Sequence, residues 1–175
     1  MNLEKISMGK NPPDDINVII EVSGNALPVK HEIDKDSGAL FVDRFIATPM
    51  YYPCEYGFMP NTLSDDGDPV DILVVSEYAI SPCTVIRCKP IGVFIMEDEK
   101  GMDEKIIAVP HVKMNSEYSH INEINELPEI LLNKIKHFFE HYKDLEKGKW
   151  VKVTGFADAK KAKEIIIESI ERAKK

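Results

Sequence analysis

The sequence predicts a mainly β, α+β fold in which a small β-barrel carries helices packed on its outside. Three observations point there. The first two thirds of the 175 residues break into short apolar runs bounded by Gly, Pro, Asp or Asn. Beyond Leu127 the apolar residues recur at steps of three and four, and one alternating segment divides two such stretches. Strands followed by helices, with no regular βα alternation, are the pattern of a barrel with helices laid against it.

The strands are expected at residues 17–22, 40–46, 70–75, 85–96 and 105–109. Residues 40–46 carry Asp43 and Arg44 between apolar ends, a charged pair that suits a sheet edge. A helix is expected over 127–142, where Leu127, Ile130, Leu131, Ile135, Phe138, Phe139 and Tyr142 share one face. Pro128 suits its first turn and Gly148 its end. In 149–156 Trp150, Lys152 and Thr154 alternate with Val151 and Val153, which reads as one more strand. Asp158 then caps a last helix whose buried positions are Ala162, Ile165, Ile166 and Ile170. The length fits one domain over residues 1–175.

Composition removes several classes of function. With 43% hydrophobic and 30% charged residues the chain can bury a core. Lys and Arg number 22 against 30 Asp and Glu, a formal charge of −8, so neither a nucleic-acid backbone nor an anionic membrane is expected as partner. Cys54, Cys83 and Cys88 form an odd set without CxxC spacing, which fits neither a disulfide framework nor a zinc ribbon and suits a reducing cytoplasm. The longest apolar run, 91–96, is far short of a bilayer span.

The chemistry concentrates in residues 65–71, Asp-Asp-Gly-Asp-Pro-Val-Asp. Gly67 and Pro69 belong to any solvated acidic turn, but Asp71 lies beyond Val70 at the head of an apolar run, where such a turn does not explain it. Two carboxylates about 5 Å apart repel by roughly 3 kcal/mol at an effective dielectric near 20, so convergent ones need protons or a cation. Oxygen ligands without His or Cys favour Mg²⁺, Mn²⁺ or Ca²⁺. An EF-hand is excluded because Asp71 stands where the loop requires Gly and no flanking helices are readable. A second acidic stretch, 97–105, supplies Asp98 and Asp103 from an expected hairpin loop, while Glu21 and Glu32 lie on or near early strands. Lys30, Arg44, Lys105 and Lys143 are the cations available to an anionic substrate, and their pairing with a metal site suggests phosphate. The segment His137-Phe138-Phe139-Glu140-His141 matches the H-x-x-E-H of inverted zinc peptidases. Too little chain follows it for a third ligand and a cleft, so surface histidines of the helix are expected.

Taken together, Asp66-Gly67-Asp68-Pro69-Val70-Asp71, Glu-Ile-Asp-Lys at Glu32, Phe-Val-Asp-Arg at Arg44, Tyr-Tyr-Pro around Tyr52 and His-Tyr-Lys-Asp-Leu-Glu at Tyr142 resemble the family I soluble inorganic pyrophosphatases of bacterial type. The resemblance covers essentially the whole chain. It implies a closed five-stranded barrel like the oligonucleotide-binding fold, hydrolysis of pyrophosphate to two orthophosphates, several Mg²⁺ ions per subunit with Mn²⁺ or Zn²⁺ as substitutes and Ca²⁺ as inhibitor, and a homohexamer. It also implies roles: Asp66, Asp71, Asp98 and Asp103 as metal ligands, with Glu21 and Glu32 as outer ligands acting through water. Asp68 resembles the general base, and Lys30, Arg44, Tyr142 and Lys143 the phosphate clamp. Tyr56 and Lys105 resemble residues that complete the pocket, and Tyr52 a supporting one.

Overall fold

Residues 71–75 read Asp-Ile-Leu-Val-Val, apolar on both faces of a strand, and the fold buries both faces. The computed structural model describes residues 1–174. Its strands are β1 Ile16–Val22, β2 Val29–Ile33, β3 Leu40–Phe45, β4 Glu55–Phe58, β5 Asp71–Val74, β6 Val85–Asp98, β7 Gly101–Pro110 and β8 Val151–Asp158. The helices are α1 Glu129–His141 and α2 Ala159–Arg172, alongside short 3₁₀ turns. β1 pairs with β4, β4 with β5, β5 with β7, β7 with β6, and β6 returns to β1, so five strands close into a ring. This is the five-stranded closure that the family resemblance implies. β8 extends the sheet from the far side of β6, while β2 and β3 form a separate hairpin.

Side chains alternate across a strand, and the two parities enter two cores. Leu73, Phe94, Met96 and Ile107 cluster with Ile135, Phe138 and Phe139 of α1. Ile72, Val74, Val93 and Ile106 cluster with Ala162, Ile165 and Ile166 of α2. Each fully buried Ile or Phe contributes on the order of 1.5–3 kcal/mol, so both helices are held by their apolar stripe. Asp158 caps α2 as expected, accepting from the Lys161 N–H at 2.9 Å.

Several expectations are revised. β2 and β4 were not predicted. The nine residues 97–105 are not a loop: β6 runs to Asp98 and β7 begins at Gly101, leaving Glu99 and Lys100 as the turn. Asp98 tightens that turn by accepting from the Lys100 N–H at 2.8 Å. α1 stops at His141, well before Gly148, and a series of turns follows. Asp43 in β3 lies 3.7 Å from Arg44 but closer, 2.9 Å, to Lys30 across the hairpin.

Candidate active site

The parity that faces α1 also aims the charged residues. Asp71 stands two positions before Leu73, Asp103 and Lys105 stand four and two before Ile107, and Asp98 stands two after Met96. Where the apolar residues of that face end, these polar ones begin, at one rim of the ring. Parallel pairing of β5 and β7 sets Asp71 beside Lys105, and antiparallel pairing sets Lys105 opposite Phe94. Tyr52 stacks near Tyr56 and Phe138, and Phe138 near Tyr142, so α1 supplies an aromatic floor.

Lys105 is the centre of this floor. It is 3% exposed, donates to Asp71 at 2.6 Å and to Asp103 at 2.8 Å, and lies 5.5 and 5.4 Å from the rings of Tyr56 and Phe139. Burial alone would depress its ammonium, but the two carboxylates hold it well above an ordinary lysine. The Tyr56 hydroxyl donates to the same Asp71 oxygen at 2.7 Å, and burial together with that carboxylate pushes its ionisation far up. Tyr56 therefore remains a donor. Burial raises Tyr142 in the same way.

A second group forms around the β6–β7 turn. Lys143 donates to Asp98 at 2.7 Å and lies 3.4 Å from Glu99, which Lys149 also reaches at 2.5 Å. Burial opposes ionisation of Glu99, but the Lys149 bond and Lys143 outweigh it and bring its carboxyl to about 2. For Asp98, too, the Lys143 bond overcomes burial and lowers the carboxyl. A third group comes from the hairpin, where Lys30 pairs with Asp43 and lies 3.7 Å from Glu32. Among the described residues Arg44 Nε is buried without a hydrogen-bond partner, its nearest carboxylate being Glu146 at 3.6 Å. Glu21 is buried and accepts from the Ile33 N–H at 2.7 Å, and burial raises its carboxyl to about 7.

All of the residues singled out from the sequence line one cleft, Glu21, Lys30, Glu32, Arg44, Tyr52, Tyr56, Asp66, Asp68, Asp71, Asp98, Asp103, Lys105, Tyr142 and Lys143. The aspartate loop contributes Asp66, whose carboxylate accepts from the Asp68 N–H at 3.0 Å, and Asp68, which pairs with Lys35 at 2.5 Å. Gly67 at φ +91° makes that turn. Sequence reasoning missed Lys35, Asp43, Glu99 and Lys149. Lys35 closes the same Glu-Ile-Asp-Lys segment that carries Glu32, so a signal existed; Lys149 sits in an ordinary basic run.

The lining holds nine carboxylates against seven cations. Among the described residues no three Asp, Glu, His or Cys stand close enough to grip one ion, because lysines occupy the space between the carboxylates. The donor set is nonetheless all oxygen, which suits a hard divalent cation. His137 and His141 take no part: both are exposed on α1, with His141 Nδ1 2.8 Å from Asp144.

Comparison with known proteins gives this fold a family. The family model described as inorganic pyrophosphatase matches residues 18–174. The inorganic pyrophosphatase of Escherichia coli K12 is 59% identical over 174 residues, 99% of each chain. Among solved structures, an inorganic phosphatase from Anaplasma phagocytophilum superposes with a TM-score of 0.96 at 50% identity, covering 98% of this chain and 100% of its own. The inorganic pyrophosphatase of Thermus thermophilus gives 0.94 at 43% identity over the full length of both chains. A match this long, on a fold whose ring gathers these carboxylates and lysines at one rim, makes the chain a member of the inorganic pyrophosphatase family.

Proposed function

We propose that the chain hydrolyses inorganic pyrophosphate to two orthophosphates in a Mg²⁺-dependent reaction without a covalent intermediate, as one pyrophosphatase domain over residues 1–175 acting in the cytoplasm. The observation that carries this reading is the interleaving of Asp71, Asp103 and Asp98 with Lys105 and Lys143 in one cleft, beside the unpartnered Arg44 Nε. Anionic residues for a cation and cationic residues for phosphate oxygens lie within reach of the same small substrate.

Asp66, Asp71, Asp98 and Asp103 would hold the cations, with Glu21 and Glu32 acting through water. Bound Mg²⁺ supplies a water of lowered pKa and neutralises phosphate charge. Asp68 orients the attacking water and takes its proton on the carboxylate, a task that needs only hydrogen-bond reach. Lys30, Arg44, Lys105, Tyr142 and Lys143 bind the phosphate oxygens, and Tyr56 fixes Asp71 through its hydroxyl. Oxygen-rich donors also admit Mn²⁺, with Zn²⁺ as a further substitute. Ca²⁺ should inhibit, because it occupies the same oxygens with longer, looser coordination.

The test is phosphate release from pyrophosphate, ATP and a phosphomonoester in Mg²⁺, in Ca²⁺ and after chelation. Release from pyrophosphate alone, in Mg²⁺ and not in Ca²⁺, is expected. Activity that survives exhaustive chelation refutes the metal-dependent mechanism.

A further inference from the structure

The aspartate loop is tied at its base and closed at its tip, but the link between the two is held by another element altogether. At the base, the Thr62 hydroxyl donates to the Met59 carbonyl at 2.6 Å and accepts from the Val70 N–H at 3.1 Å. At the tip, the Ser64 N–H reaches the Asp68 carbonyl at 2.7 Å and the Gly67 N–H reaches Ser64 at 3.2 Å. The outgoing limb is Pro69, which has no N–H to give. The incoming limb is Leu63, and both of its backbone polar groups go to the last turns of α2. Its N–H donates to the Ser169 carbonyl at 3.0 Å, and its carbonyl accepts from Arg172 Nη1 at 2.5 Å. The other terminal nitrogen of Arg172 lies 2.9 Å from Asp65. One guanidinium therefore spans two loop residues from 109 positions away in the chain.

We propose that Arg172 is a positioning residue of the reaction: by holding the Leu63 carbonyl and the Asp65 carboxylate together, it sets the angle at which the tip presents Asp66 and Asp68 to the cleft. A planar fork with fixed donors can fix an orientation in this way, where a lysine would supply only a point charge. The Asp65 contact is exposed and adds little by itself. The Leu63 bond is the one that orients the backbone. Ser169, whose carbonyl takes the Leu63 N–H, is 1% exposed and donates its own hydroxyl to the Ile166 carbonyl at 2.9 Å. A displacement of the tip by about 1 Å is enough to cost on the order of a hundredfold in rate when the displaced groups handle the reacting water.

This inference rests on Asp66 and Asp68 working as proposed above, so its test includes a measurement that does not depend on turnover. In the full chain, Arg172→Ala and Arg172→Lys are compared with Lys160→Ala, an exposed residue on the same helix. Hydrogen exchange of the Ser64, Gly67 and Asp68 amides should quicken by about tenfold or more in Arg172→Ala and less in Arg172→Lys. The exchange of β5 should stay at the parent rate in both. Pyrophosphate hydrolysis at saturating Mg²⁺ should fall by roughly tenfold to a hundredfold, with millimolar guanidinium restoring part of it. Tip amides as protected in Arg172→Ala as in the parent would overturn the proposal, and so would equal acceleration throughout the molecule. If the parent fails to hydrolyse pyrophosphate, the functional reading falls while the exchange data still decide the role of Arg172.

Discussion

Lys105 eases the crowding of carboxylates in the cleft, since its one positive charge offsets part of the charge of Asp71 and Asp103 from a position almost closed to water. Lys105→Met leaves two carboxylates facing each other with Tyr56 as the only donor. The expected cost is about 3 kcal/mol of stability in the absence of metal. Added Mg²⁺ should recover much of it by taking the lysine's place, which thermal unfolding with and without Mg²⁺ would measure. An equal deficit in both conditions would mean that Lys105 does not stand in for a cation. The aspartates should divide differently. Asp68→Asn keeps the size and removes the base, so the rate at saturating Mg²⁺ should drop roughly 10²–10⁴-fold with the Mg²⁺ requirement little changed. Asp71→Asn removes a ligand charge, so the requirement should rise as well. A magnesium titration of hydrolysis separates the two, and full rescue of Asp68→Asn by excess Mg²⁺ would make Asp68 an ordinary ligand.

Among the elements, β6 is the one that most others lean on, and Arg87 near its start grips Asp15 just ahead of β1, Nε and Nη2 each donating to one carboxylate oxygen. The Arg87 bond holds the Asp15 carboxyl below its ordinary 3.8. A depressed carboxyl stabilises the fold above its unfolded pKa and loses that contribution as pH falls through the folded one. Asp15→Asn should therefore be less stable than the parent by about 1.5–3 kcal/mol at pH 7. The gap should begin to narrow below roughly pH 4, where the unfolded chain takes up the proton first, and close only once pH has fallen below the depressed carboxyl of the folded state. Urea midpoints followed from pH 7 downward through the acid range check this, and a gap that stays constant over the whole range would assign it to packing. The same elements show how far the sequence can be read. β5 and the middle of β6 were legible because both faces are buried there and residues 72–75 and 91–96 are unbroken nonpolar runs. β2 was not, since Lys30, His31 and Glu32 follow one another and look toward the cleft or solvent rather than into a core. β4 was hidden by its brevity and by Gly57, which is needed because a Cβ there would meet the Ile19 carbonyl at 1.9 Å. At the site, aspartates at the heads of apolar strands were legible, whereas Asp43 passed for an edge charge and Glu99 and Lys149 for ordinary surface residues. Arg172 could not be read at all, because nothing in a chain of letters brings a last turn of helix to residue 63.

At the scale of the whole molecule, the outer face of α1 is one part that a single copy leaves unexplained. Ile130 is 65% exposed and Leu145, just past the helix, 67%, with His137 and His141 between them. The family resemblance implies a homohexamer, and we propose that this face of α1 lies at its subunit contacts. Light scattering at neutral pH and micromolar concentration should return a mass about six times that of the chain, and a monomer would refute it. The ring has a further consequence, for the order in which the molecule comes into being. Asp71 and Lys105 are 34 residues apart and Asp15 and Arg87 72, so the contacts that draw the cleft together and seal the ring include distant ones that no local pairing supplies. Such contacts must meet the loop-closure entropy before they return any stability, whereas α1 and α2 can form from neighbours in the chain. Helical structure should thus appear early during refolding and catalytic competence late, with no half-assembled chain able to turn over substrate.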